Sequence, residues 1–597
     1  MALKKTWTVY LIHHSHTDIG YTERQDKIMR YHCDFIIQAI DILNRIHAGE
    51  EKKAEGFVWQ CENFWQVKNF YENASEEYIR DFERYVRTGE IGLSGNYLNM
   101  TELVSAEVLD SRIRMAKEYG ERIGHPVTSG MCADVNGMAW GYGDALYENG
   151  VTSFFTCIHP HHGMFPLYKK QQPFYWETPK GKRILVWNGD YYHLGNELFI
   201  APHGGNTYQI RDEYHEPFIS HMILNRSSEN TDQMEWEIGQ KRLERYLENL
   251  QEESYSWNFI PFMVSGCITD NAPPSAAVAE RVNEMNQRYN GQITCKMVNL
   301  EQFFDSVKEQ CKEIPCYRGD WNDWWADGVG STPAAVKVYL DGRRKYDICE
   351  KLGEEEGERE KALKEEAAEN MMLYAEHTWG YSSSVIEPWE SLVGSLEWKK
   401  ASYAVNGNSA ASKWLDRLLA KKGEISICRD KGQRYRIINP HNVAVKDGVC
   451  LYIELWEYVE GIRYDTEIPI EVRDCVTGQI IPSQIHMTAR ATAVEIILTM
   501  KPKEERIVEI RLASQRKTVT YENRAHVGAE GVADLLEDGM RKDDGCVETQ
   551  YYQVLFDQEK GICSVKDKLW GRELLRNGME DAPFSGIYEV TGMNGDA

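Results

Sequence analysis

The stretch "HHSHTDIGY", His13 to Tyr21, puts His14, His16 and Asp18 on every second position. It follows an apolar run, "WTVYLIH" from Trp7 to His13, rich in β-branched and aromatic residues and short enough for a buried strand. Alternate residues of an extended chain point to one face. If the chain stays extended, the three side chains share a face at the strand's carboxyl end. Imidazole with carboxylate suits a borderline divalent ion such as Zn²⁺. Alone, the stretch fits equally a polar loop whose histidines bond to backbone.

Titratable residues recur after the other apolar runs. Glu62 follows Phe57–Cys61, and Asp134, in "ADVNG", follows Val127–Cys132. His159, His161 and His162 follow Val151–Ile158, a candidate second metal site or the wall of a binding loop. Asp190, Tyr191 and Tyr192 follow "RILVWNG", and Asp270, in "CITDNAPP", follows Phe259–Ser265. The amino ends of these runs carry much less of this chemistry. A purely structural sheet does not need the pattern. Parallel-strand folds that place a site at the carboxyl ends of their strands do.

The positioning elements follow from the alternation of these runs, and of Ile293–Val298, with helix-like stretches. The latter include Lys27–Ile46, Ala106–Ile123 and Gln233–Leu250. This predicts an α/β domain over residues 1–330, open or barrel-like, with parallel strands. Residues 331–422 are rich in helix formers, with Gly353 and Gly357 as turns, and predict a helical bundle. Its charge run reads as a solvated face. His377 ends an apolar helical stretch, "NMMLYAEH", where a lone histidine is ordinarily a core or capping residue. Residues 423–597 hold short β-like runs such as "VCLYIELWEY" and "RIVEIRL", and predict a β-sandwich. The sequence stops within strand-like text, so an incomplete sandwich is expected.

A chain of 597 residues exceeds one core, which agrees with three domains. A net charge of −25 disfavours nucleic acid as partner and favours a soluble enzyme or binding protein. The abundant aromatics, 17 Trp and 33 Tyr, suit stacking on sugars and large cores equally. The 14 cysteines form no C-x-x-C pair and read as reduced thiols. The first residues enter a strand without an apolar leader, and no run of about 18 apolar residues exists to span a membrane. The expected compartment is the cytoplasm.

Taken together, these residues resemble glycoside hydrolase family 38, the α-mannosidase family, as a divergent bacterial-type member. The resemblance covers roughly residues 7–400. It is carried by "HSHTDIGY", "FVWQCENFWQVKNFYE", "LSGNYLNMTELVSAE", "ADVNGMAWG" and "LYAEHTWG". Two departures stand out: "DVNGM" lacks the family's Phe and His, and Asn271 follows Asp270. The resemblance implies one zinc ion held by His16, Asp18, Asp134 and His377, with His14 behind them. It implies a retaining hydrolase of α-mannosides or related α-glycosides, with Asp134 as nucleophile and Asp270 as acid/base. An oligosaccharide or glycoside is then the substrate, and a homo-oligomer is common in the family.

Glu62, Glu102 and Tyr192 fall where substrate contacts, or partners of such a site's ligands, would lie. Trp321 and Trp325, in the knot "GDWNDWWADG", offer sugar-stacking faces or a core between domains. Two rival readings remain at this level. A metal-dependent amidohydrolase or deacetylase also begins with His-x-His, but needs further histidines at later strand ends, where aspartates dominate here. A non-catalytic sugar-binding protein on the same fold would not need the full ligand set.

Overall fold

The strand predicted at the start of the chain has neighbours on both edges and side chains buried on both faces by the surrounding core. In this computed structural model the first unit, Met1–Ile425, contains β1 (Trp7–His14), β2 (Trp59–Gln60), β3 (Ile91–Gly92), β4 (Ser129–Cys132) and β5 (Ser153–Cys157). It continues with β6 (Gln172–Glu177), β7 (Arg183–Gly189), β8 (Phe259–Ser265), β9 (Ile293–Met297) and β10 (Cys316–Arg318). The structure describes residues 3–100, 103–135, 137–157, 167, 170–202, 210–214, 229–321, 327–353, 357–380, 384, 386–423, 433–454, 470–487, 491–512, 545–548, 551–557, 560–576 and 583.

β1 lies between β8 and β9 in a parallel sheet. Its near-continuous apolar run is what a parallel strand covered on both faces requires. The register pairs His14 with Ser265, so the loops after β1 and β8 leave the sheet side by side. Two backbone bonds continue the pairing past the strand ends: Gly266 N–H to the His14 carbonyl, 2.6 Å, and Asn271 N–H to the His16 carbonyl, 2.9 Å.

A second sheet runs β10-β6-β7-β5-β4, and β2 pairs with β3 alone. The expected parallel pairing holds for β1 with β8 and β9, β2 with β3, β4 with β5, β5 with β7 and β6 with β10, and one pair departs from it. β6 runs antiparallel to β7, and among the described residues of this unit the hydrogen-bonded strands form three separate groups. The physical reason is a tight turn. Thr178 N–H bonds the Lys182 carbonyl at 2.8 Å, and Gly181 takes φ +72°, a left-handed conformation glycine adopts without strain. That turn folds "QPFYWE" back as a hairpin partner instead of a crossover.

Three helices follow: Pro333–Leu352, Glu358–Ala375 and Ser391–Lys422. The long third helix packs along both others. Their apolar faces join the same core as the strands, which runs from Trp7 to Leu418. Buried Arg112, on helix Ala106–Ile123, reaches Glu365 Oε1 at 2.6 Å, and Tyr97 donates to Glu369 Oε2 at 2.5 Å. These bonds moor helix Glu358–Ala375, whose end carries His377, to the α/β part.

The second unit, Ser426–Ala597, holds antiparallel β strands. β11 (Gln433–Ile438), β12 (Val445–Glu454), β13 (Ile470–Asp474), β14 (Ile480–Ile481), β15 (Ser483–Met487), β16 (Ala491–Met500) and β17 (Glu505–Leu512) make two sheets, β11-β17-β13-β14 and β12-β16-β15. Leu451, Val494 and Ile496 from one sheet and Val472, Val508 and Ile510 from the other share one apolar cluster. β18 (Cys546–Glu548), β19 (Tyr552–Asp557), β20 (Gly561–Asp567) and β21 (Arg572–Glu573) form a further sheet. Among the described residues no helix is long and apolar enough to cross a membrane.

Candidate metal centre and active site

Four donors converge in the first unit from three distant parts of the chain. His16 and Asp18 lie on the loop after β1, Asp134 just after β4, and His377 just past helix Glu358–Ala375. All four are buried, and one donor atom of each lies within 4.8 Å of the others. His16 Nε2 is 3.3 Å from His377 Nε2, 3.5 Å from Asp18 Oδ1 and 3.8 Å from Asp134 Oδ2. His377 Nε2 is 3.4 Å from Asp18 Oδ1 and 3.5 Å from Asp134 Oδ2. Ligands bound at about 2.0–2.2 Å in a tetrahedron lie roughly 3.3–3.6 Å apart. The spacing and the donor chemistry therefore fit one divalent ion of the zinc type.

Each histidine is held from behind. His16 Nδ1 lies 2.9 Å from Glu62 Oε1, and Glu62 Oε2 accepts the Thr17 N–H at 2.7 Å. His377 Nδ1 lies 2.9 Å from Glu376 Oε1. Glu376 Oε1 also accepts from Thr378 Oγ1 at 2.6 Å, and its Oε2 takes the Lys400 ammonium at 3.1 Å. Such carboxylate–histidine pairs fix the ring and present Nε2 to a metal. Burial opposes charge on both imidazoles. The Glu62 and Asp18 carboxylates overcome it at His16, and Glu376, Asp134 and Asp18 at His377, so both stand well above the ordinary histidine value. This surplus of buried carboxylate calls for a positive charge, which a divalent ion supplies.

Asp134 takes φ +58°, an uncommon conformation for a residue with a side chain. Its loop is held at both ends. Ala133 N–H bonds Asn99 Oδ1 at 3.2 Å, and Met138 pairs with Trp321 as a short antiparallel bridge. Burial pushes the Asp134 carboxyl up, against bonds and charge from His377 and His16.

Tyr192 links the cluster to Asp270. Its ring centroid lies 4.2 Å from that of His16, and its hydroxyl donates to Asp270 Oδ2 at 3.1 Å. Asp270 Oδ1 is itself buried and has no hydrogen-bond partner among the described residues. Burial, with the charges of Asp18 and Asp134 adding and His16 opposing, pushes Asp270 up to about 8. The shift favours the protonated form of Asp270 over the pH range where ordinary carboxyls are ionised.

The remaining sequence-derived residues divide. His14 lies behind the cluster, its Nε2 3.1 Å from the Tyr192 carbonyl and its Nδ1 3.5 Å from Glu62. Glu62 is fully buried with His16 and Thr17 as partners, a position from which it orients the His16 ring. Tyr192 is also buried and touches Asp270 instead of an open cleft. Trp321 is buried edge-on against Trp176 and Phe174, with centroids at 5.3 and 5.7 Å, so of its two readings burial favours the core. Asp190 is taken by Lys170 at 3.1 Å and Tyr246 at 3.0 Å, apart from the cluster. Glu102, Trp325, His159, His161 and His162 lie outside the described residues.

Sequence reasoning missed Glu376 and Lys400 as partners of His377. Glu376 had a signal, standing beside the histidine as the helix ends. Lys400 had none, because its approach depends on how the long helix packs. Asn271 was noticed only as a departure, yet from the loop after β8 it hydrogen-bonds the loop after β1 at His16, Asp18 and Thr22.

With this geometry in hand, the chain can be set beside known proteins. Residues 6–320 match the glycosyl hydrolases family 38 N-terminal domain. An α-mannosidase from Enterococcus faecalis V583 has a similar solved structure: TM-score 0.62 at 12% identity, covering 95% of this chain and 61% of that one. A family 38 protein from Enterococcus faecalis gives TM-score 0.56 at 12% identity, covering 95% and 59%. At this identity the likeness is one of fold, and the chain spans about three fifths of the length of both. No curated protein matches the chain.

Proposed function

Because the chain belongs to the glycosyl hydrolases of family 38, we propose that it is a metal-dependent retaining glycosidase acting on α-mannosides or related α-glycosides. The observation that carries this reading is the buried His16–Asp18–Asp134–His377 cluster, with the Asp270 carboxyl tied to it through Tyr192. A zinc ion bound by those four residues would supply a Lewis-acidic anchor for two adjacent sugar hydroxyls, which suits the cis-2,3-diol of a mannoside.

The chain's own groups perform the bond changes. Asp134 attacks the anomeric carbon and forms a glycosyl ester as the bond to the leaving oxygen breaks. Asp270 gives its proton to that oxygen, through the oxygen atom that Tyr192 does not occupy. Asp270, now ionised, takes a proton from water, the water oxygen attacks the anomeric carbon, and Asp134 is released. Two carboxyls in opposite protonation states are what this cycle needs. Tyr192 keeps Asp270 in place, and Glu62 and Glu376 keep the imidazoles aimed. In this reading residues 1–330 are the catalytic domain, 331–422 a helical domain lending His377, and 423–597 a β-sandwich.

The test is hydrolysis of an aryl α-mannoside by the purified protein, before and after chelation, beside Asp134→Asn. Cleavage lost on chelation, restored by zinc and absent in the variant supports the reading. A folded, zinc-loaded protein that cleaves no α-glycoside overturns it.

A further inference from the structure

Asn271 stands where the loops after β1 and β8 meet, and every hydrogen-bonding position of its carboxamide is in use. Oδ1 accepts from the Asp18 N–H at 3.2 Å and from His32 Nε2 at 2.9 Å. Nδ2 donates to the Asp18 carbonyl at 3.1 Å and to Thr22 Oγ1 at 2.9 Å. The side chain therefore pairs with both peptide groups of Asp18 as a neighbouring strand would. The assignment of its two ends follows from these partners, since a backbone N–H only donates and a carbonyl only accepts. His32 agrees: its Nδ1 takes the Gln66 amide at 2.9 Å, which leaves Nε2–H to donate. The backbone adds a fifth bond, Asn271 N–H to the His16 carbonyl at 2.9 Å, and φ is +49°. Asparagine tolerates that conformation better than most residues.

These bonds have one geometric consequence. Asp270 precedes Asn271 directly, so this side chain ties the acid loop to the ligand loop, beside the backbone bonds Gly266–His14 and Asn271–His16. We propose that Asn271 is a positioning residue that locks Asp270 to Asp18, setting where the leaving group is protonated relative to where the sugar is anchored. The proposal rests on the roles given above to Asp18 and Asp270. No other residue fits as well. Aspartate would set an oxygen against the Asp18 carbonyl, acceptor facing acceptor. Glycine would keep the backbone conformation and lose all four side-chain bonds.

The test compares Asn271→Gly, Asn271→Asp and Asp270→Asn with the parent protein. Two aryl α-mannosides are used, one with a dinitrophenyl leaving group that needs no acid and one with a methoxyphenyl group that does. Zinc affinity is measured by chelator competition, and circular dichroism reports the fold. Both Asn271 variants should lose at least about tenfold more rate on the methoxyphenyl substrate than on the dinitrophenyl one. Their zinc affinity should fall about 10-fold or more, the scale seen for groups that support metal ligands. An unchanged leaving-group ratio together with unchanged zinc affinity overturns the proposal. If Asp270→Asn itself shows no leaving-group dependence, the acid role of Asp270 fails instead, and zinc affinity still decides the Asp18 half. Should the Asn271 variants not fold, Thr22→Val, at an exposed position, removes one partner of Nδ2 and should give the same pattern at smaller amplitude.

Discussion

The Nε2 atoms of His16 and His377 lie 3.3 Å apart although 361 residues separate them in sequence. Two imidazoles brought edge to edge in a buried site, each backed by its own carboxylate, are arranged to share a cation. A cation bound there would link metal binding to folding of the first unit.

Metal removal should therefore cost stability as well as activity. A ligand present at about 1,000 times its Kd stabilises the native state by roughly 4 kcal/mol. Thermal unfolding should shift to clearly lower temperature in chelator and recover with zinc. An identical melting curve in both conditions would count against a metal at this cluster.

The two carboxylates behind the histidines should each matter for affinity. Glu62→Gln and Glu376→Gln should weaken zinc binding by about 10- to 100-fold. The effects will differ in stability. Glu376→Gln leaves the Lys400 ammonium buried without its carboxylate, a situation that costs several kcal/mol. Glu62 has histidines and a backbone N–H on it, but no lysine or arginine among the described residues. Equal melting temperatures for the two variants would contradict this.

The rate should fall at alkaline pH. Asp270 must carry its proton to act as acid, and burial raises its carboxyl to about 8. Activity is then available below that value and lost above it, and a bound cation moves the limb downward. The sign for stability follows. The native state binds this proton more tightly than the unfolded chain, so this contribution is full below about 4 and fades as pH rises toward 8. A pH–rate profile flat to pH 9 on a poor leaving group would refute the acid role.

Trp321 should behave as core. Its ring is buried against Phe174 and Trp176, and its backbone pairs with Met138, four residues after Asp134. Trp321→Ala should destabilise the fold by about 3–5 kcal/mol, seen as a lower midpoint in urea. A rise in KM with unchanged stability would indicate a sugar-facing ring instead.

Much of this protein was legible from local pattern. The apolar runs at Trp7, Arg183 and Phe259 became strands because buried parallel strands need continuous apolar residues. Titratable residues after those runs marked the end of the sheet where a site forms. His16, Asp18, Asp134 and Asp270 could be picked out as candidates because each falls in the loop after an apolar run. His377 and Asp270 needed the family resemblance to acquire roles, since a histidine after a helix or an aspartate in a loop has many uses. What only the tertiary structure decided was set by packing between distant segments. The antiparallel hairpin of β6 and β7 depends on a turn at Gly181 that hydropathy does not register. Lys400 reaches Glu376 because the long helix lies against helix Glu358–Ala375. Asn271 pairs with Asp18 because β1 and β8 are adjacent in a fixed register. Spacing along the chain specifies which residues share a face of one element. It does not specify which elements meet, because that is determined by burial summed over the whole core.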